Sequence, residues 1–208
     1  MIPQAPVVTP IVLAAGTARR FGGNKALAPF DGETCVSLVL RACREGGAWP
    51  PVVVLGHAGE AILATLPADA RTCWNPRHAV TGPAASLQAG LDRLADDAEG
   101  VLLYPVDFPL VTGAEIAALI DRWATARARG VRIVVPSFDM RRGHPALLDR
   151  SLVAELRRLP PDAPIHQVIR AHERELEHVV VDRPWVRMDM DTPEDYARCL
   201  AAYRERNR

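Results

Sequence analysis

Apolar runs and mixed segments alternate along the chain. Four short runs rich in β-branched residues, 7–15, 51–56, 100–106 and 131–136, carry no internal polar face. They read as strands buried on both sides, as in a parallel sheet. Between them, Cys35 to Glu45, Ala84 to Ala95 and Gly113 to Gly130 repeat apolar positions at helical spacing. Strand, helix and strand in turn make βαβ units, so the pattern predicts an α/β, three-layer Rossmann-like fold with a mostly parallel central sheet.

Two helix starts anchor this map. Thr112 is followed by Glu115, and Thr192 by Pro193 and Asp195. A hydroxyl cap with an acid three residues on is the capping box, and proline suits the first helical position. Each cap follows an acidic segment, Asp107 in one case and Asp189 with Asp191 in the other. Ligands of open α/β sheets bind beyond the carboxyl ends of the strands, which predicts that both acidic segments face one crevice. The proline-rich piece from Leu159 to Pro164 reads as a turn between late helices. No linker or repeat divides residues 1–208, so one domain is expected.

Composition narrows the function. The 208 residues are 49% hydrophobic and 24% charged, which excludes a disordered chain. Basic and acidic residues balance at 25 each, leaving no global footprint for nucleic acid or an anionic membrane. Any anion site must be local. Lys25 is the one lysine among the basic side chains, which makes it conspicuous. Four scattered cysteines show neither metal-ligand spacing nor a disulfide framework, and with no export signal or apolar span in view a cytoplasmic location is expected.

The first strand empties into Ala14-Ala-Gly-Thr-Ala-Arg-Arg-Phe-Gly-Gly-Asn-Lys25, where small residues let the backbone approach a ligand and three cations arrive together. This could cradle an anion or be an ordinary turn. It matches neither GxxxxGK[ST] nor GxGxxG. Asp189-Met-Asp191 is a DxD, the tripeptide that binds metal in many glycosyltransferases, although so short a motif arises easily by chance.

Leu13-Ala-Ala-Gly16, then Arg20-Phe-Gly22 and Lys25, resembles the LAAGxSxRMGxxK signature of the MobA-like nucleotidyltransferases, which act on the molybdenum cofactor. Further pieces agree in order: Asn75-Pro76, Gly82 with Ser86-Leu87, Asp107-Phe-Pro109, Arg142-Gly-His-Pro145 and Asp189 to Asp195. The resemblance spans nearly the whole chain. It implies a nucleoside triphosphate, Mg²⁺, and transfer of a nucleoside monophosphate to a phosphate-bearing acceptor with loss of pyrophosphate. Leu13, Ala14, Ala15, Gly16, Thr17 and Ser86 would then hold the nucleotide, with Arg20 and Lys25 on its phosphates. Asp107 would be the principal metal ligand and Asp191 the second, with Asp189 close behind. Arg142 and His144 would meet the acceptor. Each has a plainer role as well: Asp107 complements a helix dipole, Ser86 sits near a helix start, and His144 is held in a rigid turn.

Ala15 resembles the cytidylyltransferase branch, where guanylyltransferases carry LAGG, so CTP and molybdopterin are the expected substrates and an apo-molybdoenzyme a downstream partner. GTP-using and sugar-phosphate nucleotidyltransferases are the close alternatives, and a non-catalytic cofactor chaperone the distant one. Ala18 and Ala84 depart from the family's usual serines, removing two hydroxyl contacts.

Overall fold

The computed structural model describes residues 5–208. In chain order they form β1 (Val8–Leu13), a small hairpin of β2 (Pro29–Phe30) and β3 (Glu33–Thr34), α1 (Cys35–Glu45), β4 (Val52–Leu55), α2 (Gly59–Leu63), β5 (Arg71–Trp74) and α3 (Pro83–Leu91). Then follow β6 (Gly100–Pro105), α4 (Gly113–Ala126), β7 (Ile133–Phe138), β8 (Arg141–Arg142), β9 (Ala146–Asp149), α5 (Val153–Leu156), α6 (His166–Ala171), β10 (Leu176–Val180) and α7 (Pro193–Arg206).

The central sheet runs β10-β7-β9-β6-β1-β4-β5, with β8 paired to β7. β1 is parallel to both β6 and β4, β4 to β5, and β7 to β10. Only β9 and the short β8 run against their neighbours. The predicted Rossmann-like, mostly parallel architecture is the one observed.

Strand alternation builds the two cores. Val53 and Leu55 face one side with Val12, Leu102 and Tyr104, packed by α1, α4 and α7. Val52 and Val54 face the other with Ile11, Val101 and Leu103, packed by α3 and α5. Both faces being apolar is what gave these strands continuous hydrophobic runs. The four expected strands correspond to β1, β4, β6 and β7. The expected helices appear as α1, α3 and α4, with α3 ending at Leu91, four residues early. Both capping boxes form: Thr112 N donates to Glu115 Oε2 at 2.7 Å, and Thr192 N to Asp195 Oδ2 at 2.9 Å.

One close approach matters for the site. A Cβ on Gly143 would stand 2.3 Å from the carbonyl oxygen of Val186 and 2.7 Å from its Cγ2. His144 N donates to that same carbonyl at 2.7 Å. Gly143→Ala is therefore expected to destabilise the protein by about 1–3 kcal/mol, the usual cost of overpacking. Urea unfolding measures it, and an unchanged midpoint would show that the 184–187 turn yields.

Candidate active site

β1 delivers the chain into the Ala14–Asn24 loop. Ala14 N and Ala15 O are tied to Val54 O and His57 N, which anchors the start of the loop to β4. Beyond them, the N–H groups of Gly16, Thr17 and Ala18 make no hydrogen bond among the described residues. Ala18 has φ +46° and Gly22 φ +75°. Left-handed residues in such a loop turn successive N–H groups toward one side, the arrangement that receives anions.

The loop ends on Asn24. Its Oδ1 accepts from Ala26 N at 2.9 Å and Leu27 N at 3.3 Å, and its Nδ2 donates to His57 O at 3.2 Å. Asn24 thereby caps the short turn Lys25–Leu27 and ties it to the loop after β4. This scaffold residue was missed in the sequence reading, although an Asn ahead of a helical turn is the signal that could have found it.

Lys25 leaves that turn into a nest of carboxylates. Its Nζ donates to Asp107 Oδ2 at 2.8 Å and to Asp191 Oδ1 at 2.6 Å, and its side chain is 14% exposed. Arg20 adds a 2.7 Å bond to Asp191 Oδ2 from the solvent side. Burial alone would lower the lysine's pKa, but Asp107 and Asp191 together raise it above its ordinary value. The Lys25 hydrogen bond in turn holds the Asp191 carboxyl below the usual range.

The two acidic segments thus converge as expected, and the backbone joins them directly. Met190 N donates to Asp107 O at 3.1 Å. The carbonyls on either side of Asp107 are also held, Val106 O by Cys35 Sγ and Phe108 O by the buried Tyr104 hydroxyl at 3.0 Å. Asp189 and Asp191 flank the fully buried Met190, yet only Asp191 reaches Lys25. Among the described residues Asp189 has no ion-pair partner, and its partial burial raises its pKa.

A cavity of about 560 Å³ opens beside this cluster. The loop from Leu13 to Ala18, Lys25, His78, Ser86, Asp107 and His144 all line it. Ser86 is not a helix cap: it lies inside α3, whose cap is Gly82, and its hydroxyl accepts from Asn75 Nδ2 at 3.0 Å. Its own proton is left to donate toward the cavity. Asn75 is buried and also reaches Thr81, so it holds the 75–82 loop in place.

His144 lies against Phe108 with ring centroids 4.6 Å apart. Burial lowers its pKa, and its buried Nδ1 has no partner among the described residues. It therefore presents a neutral imidazole. Arg142, expected at the acceptor, is instead on the surface strand β8, where it pairs with Glu173, and it does not line the cavity. Ala84 is fully buried in the core between α3 and the sheet. Its missing hydroxyl removes nothing from the cavity wall.

Among the described residues no group of three or more His, Cys, Asp or Glu side chains could hold a metal alone. Asp107 and Asp191 do fit a hard divalent cation of the Mg²⁺ type. Both offer oxygen donors, their oxygens already share one cationic position, and such an ion commonly takes one or two carboxylates with substrate phosphates completing its shell.

The family profile described as "MobA-like NTP transferase domain" matches residues 10–177. A nicotine blue oxidoreductase from Paenarthrobacter nicotinovorans is 31% identical over 157 residues, covering 71% of this chain and 73% of that protein. A bifunctional protein GlmU from Heliobacterium modesticaldum is 30% identical over 67% of this chain, which spans only 30% of its length. Among solved structures, Rv0371c from Mycobacterium tuberculosis H37Rv superposes with a TM-score of 0.81 at 28% identity, over 95% of this chain and 100% of that one. Its manganese complex superposes at 0.77 with 26% identity and the same coverage.

Proposed function

The chain belongs to the MobA-like NTP transferase family, and from that premise we propose that it transfers CMP from CTP to a phosphate-bearing acceptor of the molybdopterin type, releasing pyrophosphate. The observation that carries the transfer chemistry is Lys25 held between Asp107 and Asp191 at the mouth of a glycine-rich loop.

In this reading an acceptor phosphate oxygen attacks the α-phosphorus. The new P–O bond forms as the bond to the β-phosphate oxygen breaks, and negative charge passes to pyrophosphate. Catalysis is then positioning and neutralisation. The free N–H groups of Gly16 to Ala18 receive phosphate oxygens, and Arg20 and Lys25 follow the charge as it moves onto the leaving group. Asp107 and Asp191 would hold Mg²⁺, which neutralises triphosphate charge when bound. Asp189 stays behind Asp191 as a half-buried neighbour.

The base assignment rests on Ala15. Its methyl lies so near the backbone of Gly56 that a Cβ there would stand 2.8 Å from both Ala15 Cβ and His78 Cβ. A closed floor of this kind favours the smaller pyrimidine, and the Ser86 hydroxyl offers a donor for its O2 or N3. His144, packed against Phe108 with the two rings tilted at 49°, would meet a planar acceptor ring. Arg142 could join it only by leaving Glu173. The described cysteines are free and buried, which supports work in a reducing cytoplasm, with an apo-molybdoenzyme as recipient of the product. Among the described residues no helix is long and apolar enough to cross a membrane.

Purified protein incubated with Mg²⁺, molybdopterin and each of CTP, GTP, ATP and UTP is expected to release pyrophosphate with CTP. Release with GTP alone would overturn the base assignment. Release only when a sugar 1-phosphate replaces molybdopterin would overturn the acceptor.

A further inference from the structure

Arg20, Asp191, Lys25 and Asp107 form one continuous chain of ion pairs, with contacts of 2.7, 2.6 and 2.8 Å. The two cations assigned to the triphosphate and the two carboxylates assigned to the metal are engaged with each other. Resting on that assignment, we propose that Lys25 is a tethered competitor for the divalent cation, so that metal and triphosphate enter this site cooperatively.

The geometry sets the competition. The Lys25 ammonium satisfies an oxygen from each carboxylate at under 3 Å, which is the position a shared metal ion would need. A divalent ion arriving there meets a like charge at contact distance, and among the described residues no third His, Cys, Asp or Glu joins Asp107 and Asp191 to hold it. Phosphate oxygens change both terms. They offer Lys25 and Arg20 an alternative anion, and they supply the ligands that the ion lacks.

The exchange requires little backbone movement. Asn24 fixes the turn from which Lys25 springs, and a four-carbon stem lets its ammonium swing between partners. Arg20, 74% exposed, is free to leave Asp191. By linkage, whatever factor the triphosphate adds to metal affinity, the metal adds to triphosphate affinity.

Mn²⁺ binding followed by electron paramagnetic resonance, with no nucleotide present, isolates the competitor. Lys25→Met is expected to bind Mn²⁺ at least about tenfold more tightly than the wild type, and Mn²⁺ is expected to raise the melting temperature of the variant alone. Lys25→Gln serves as the second variant should the first fail to fold. Equal or weaker binding by the variant overturns the proposal. So does an equal gain in Arg19→Met, which removes an exposed neighbouring charge and would reduce the effect to net charge. Pyrophosphate release tests the transferase reading separately: its absence in the wild type, with tighter Mn²⁺ binding in Lys25→Met, would defeat that reading and leave the competition standing.

Discussion

Asp107→Asn is expected to lower kcat/KM for nucleotidyl transfer by about a hundred- to a thousandfold, the range seen when one preorganised electrostatic group is removed from a reacting centre. The substitution keeps the shape and one hydrogen-bonding oxygen, so Met190 N, Tyr104 and Cys35 can still hold the surrounding backbone. What it removes is the charge that faces Lys25 at 2.8 Å and would face the metal. A pyrophosphate-release assay, read beside the melting temperature, separates lost chemistry from lost fold. Near-normal turnover in a folded Asp107→Asn protein would leave Asp107 as a helix-start acid only.

Lys25→Arg is expected to cost at least about tenfold in turnover, equivalent to about 1.4 kcal/mol. Charge is retained, so the loss comes from shape. Two carboxylate oxygens converge on one ammonium, and the side chain is mostly enclosed. A planar guanidinium with donors in a fixed fork cannot place a single point of charge there, nor follow a migrating negative charge as a compact ammonium does. In a chain that otherwise uses arginine for every basic side chain, this is the position where the exchange should matter. An unchanged rate would show that positive charge alone suffices.

Much of this architecture was legible along the chain. The runs that became β1, β4, β6 and β7 are apolar on both faces because helices cover both sides of the sheet. β5 and β10 were not, because edge strands are half solvated and mix Arg71, Glu177 and His178 with apolar residues. β9 was hidden for another reason. It enters antiparallel between β6 and β7, a pairing that depends on where the 139–145 turn returns the chain and leaves no periodic signature. Within the site, the glycine-rich loop, Lys25, Asp107, the Asn75-Pro76 pair and the Asp189 to Asp191 segment stood out as motifs. Asn24 did not, nor did the task of Asn75, since both hold loops together through bonds to His57, Thr81 and Ser86.

By itself the sequence determined which segments become strands and helices, where two helices start, and which loop carries the cations, because these follow from burial, capping and residue size acting locally. Only the tertiary structure decided that Asp191 rather than Asp189 meets Lys25, that Arg142 turns to Glu173, and that Ala84 belongs to the core. Alternation puts Asp189 and Asp191 on one face, so spacing could not rank them. The choice falls to contacts across more than 80 residues of chain, between Lys25 and the two acidic segments, that exist only once β1, β6 and the segment before α7 lie side by side.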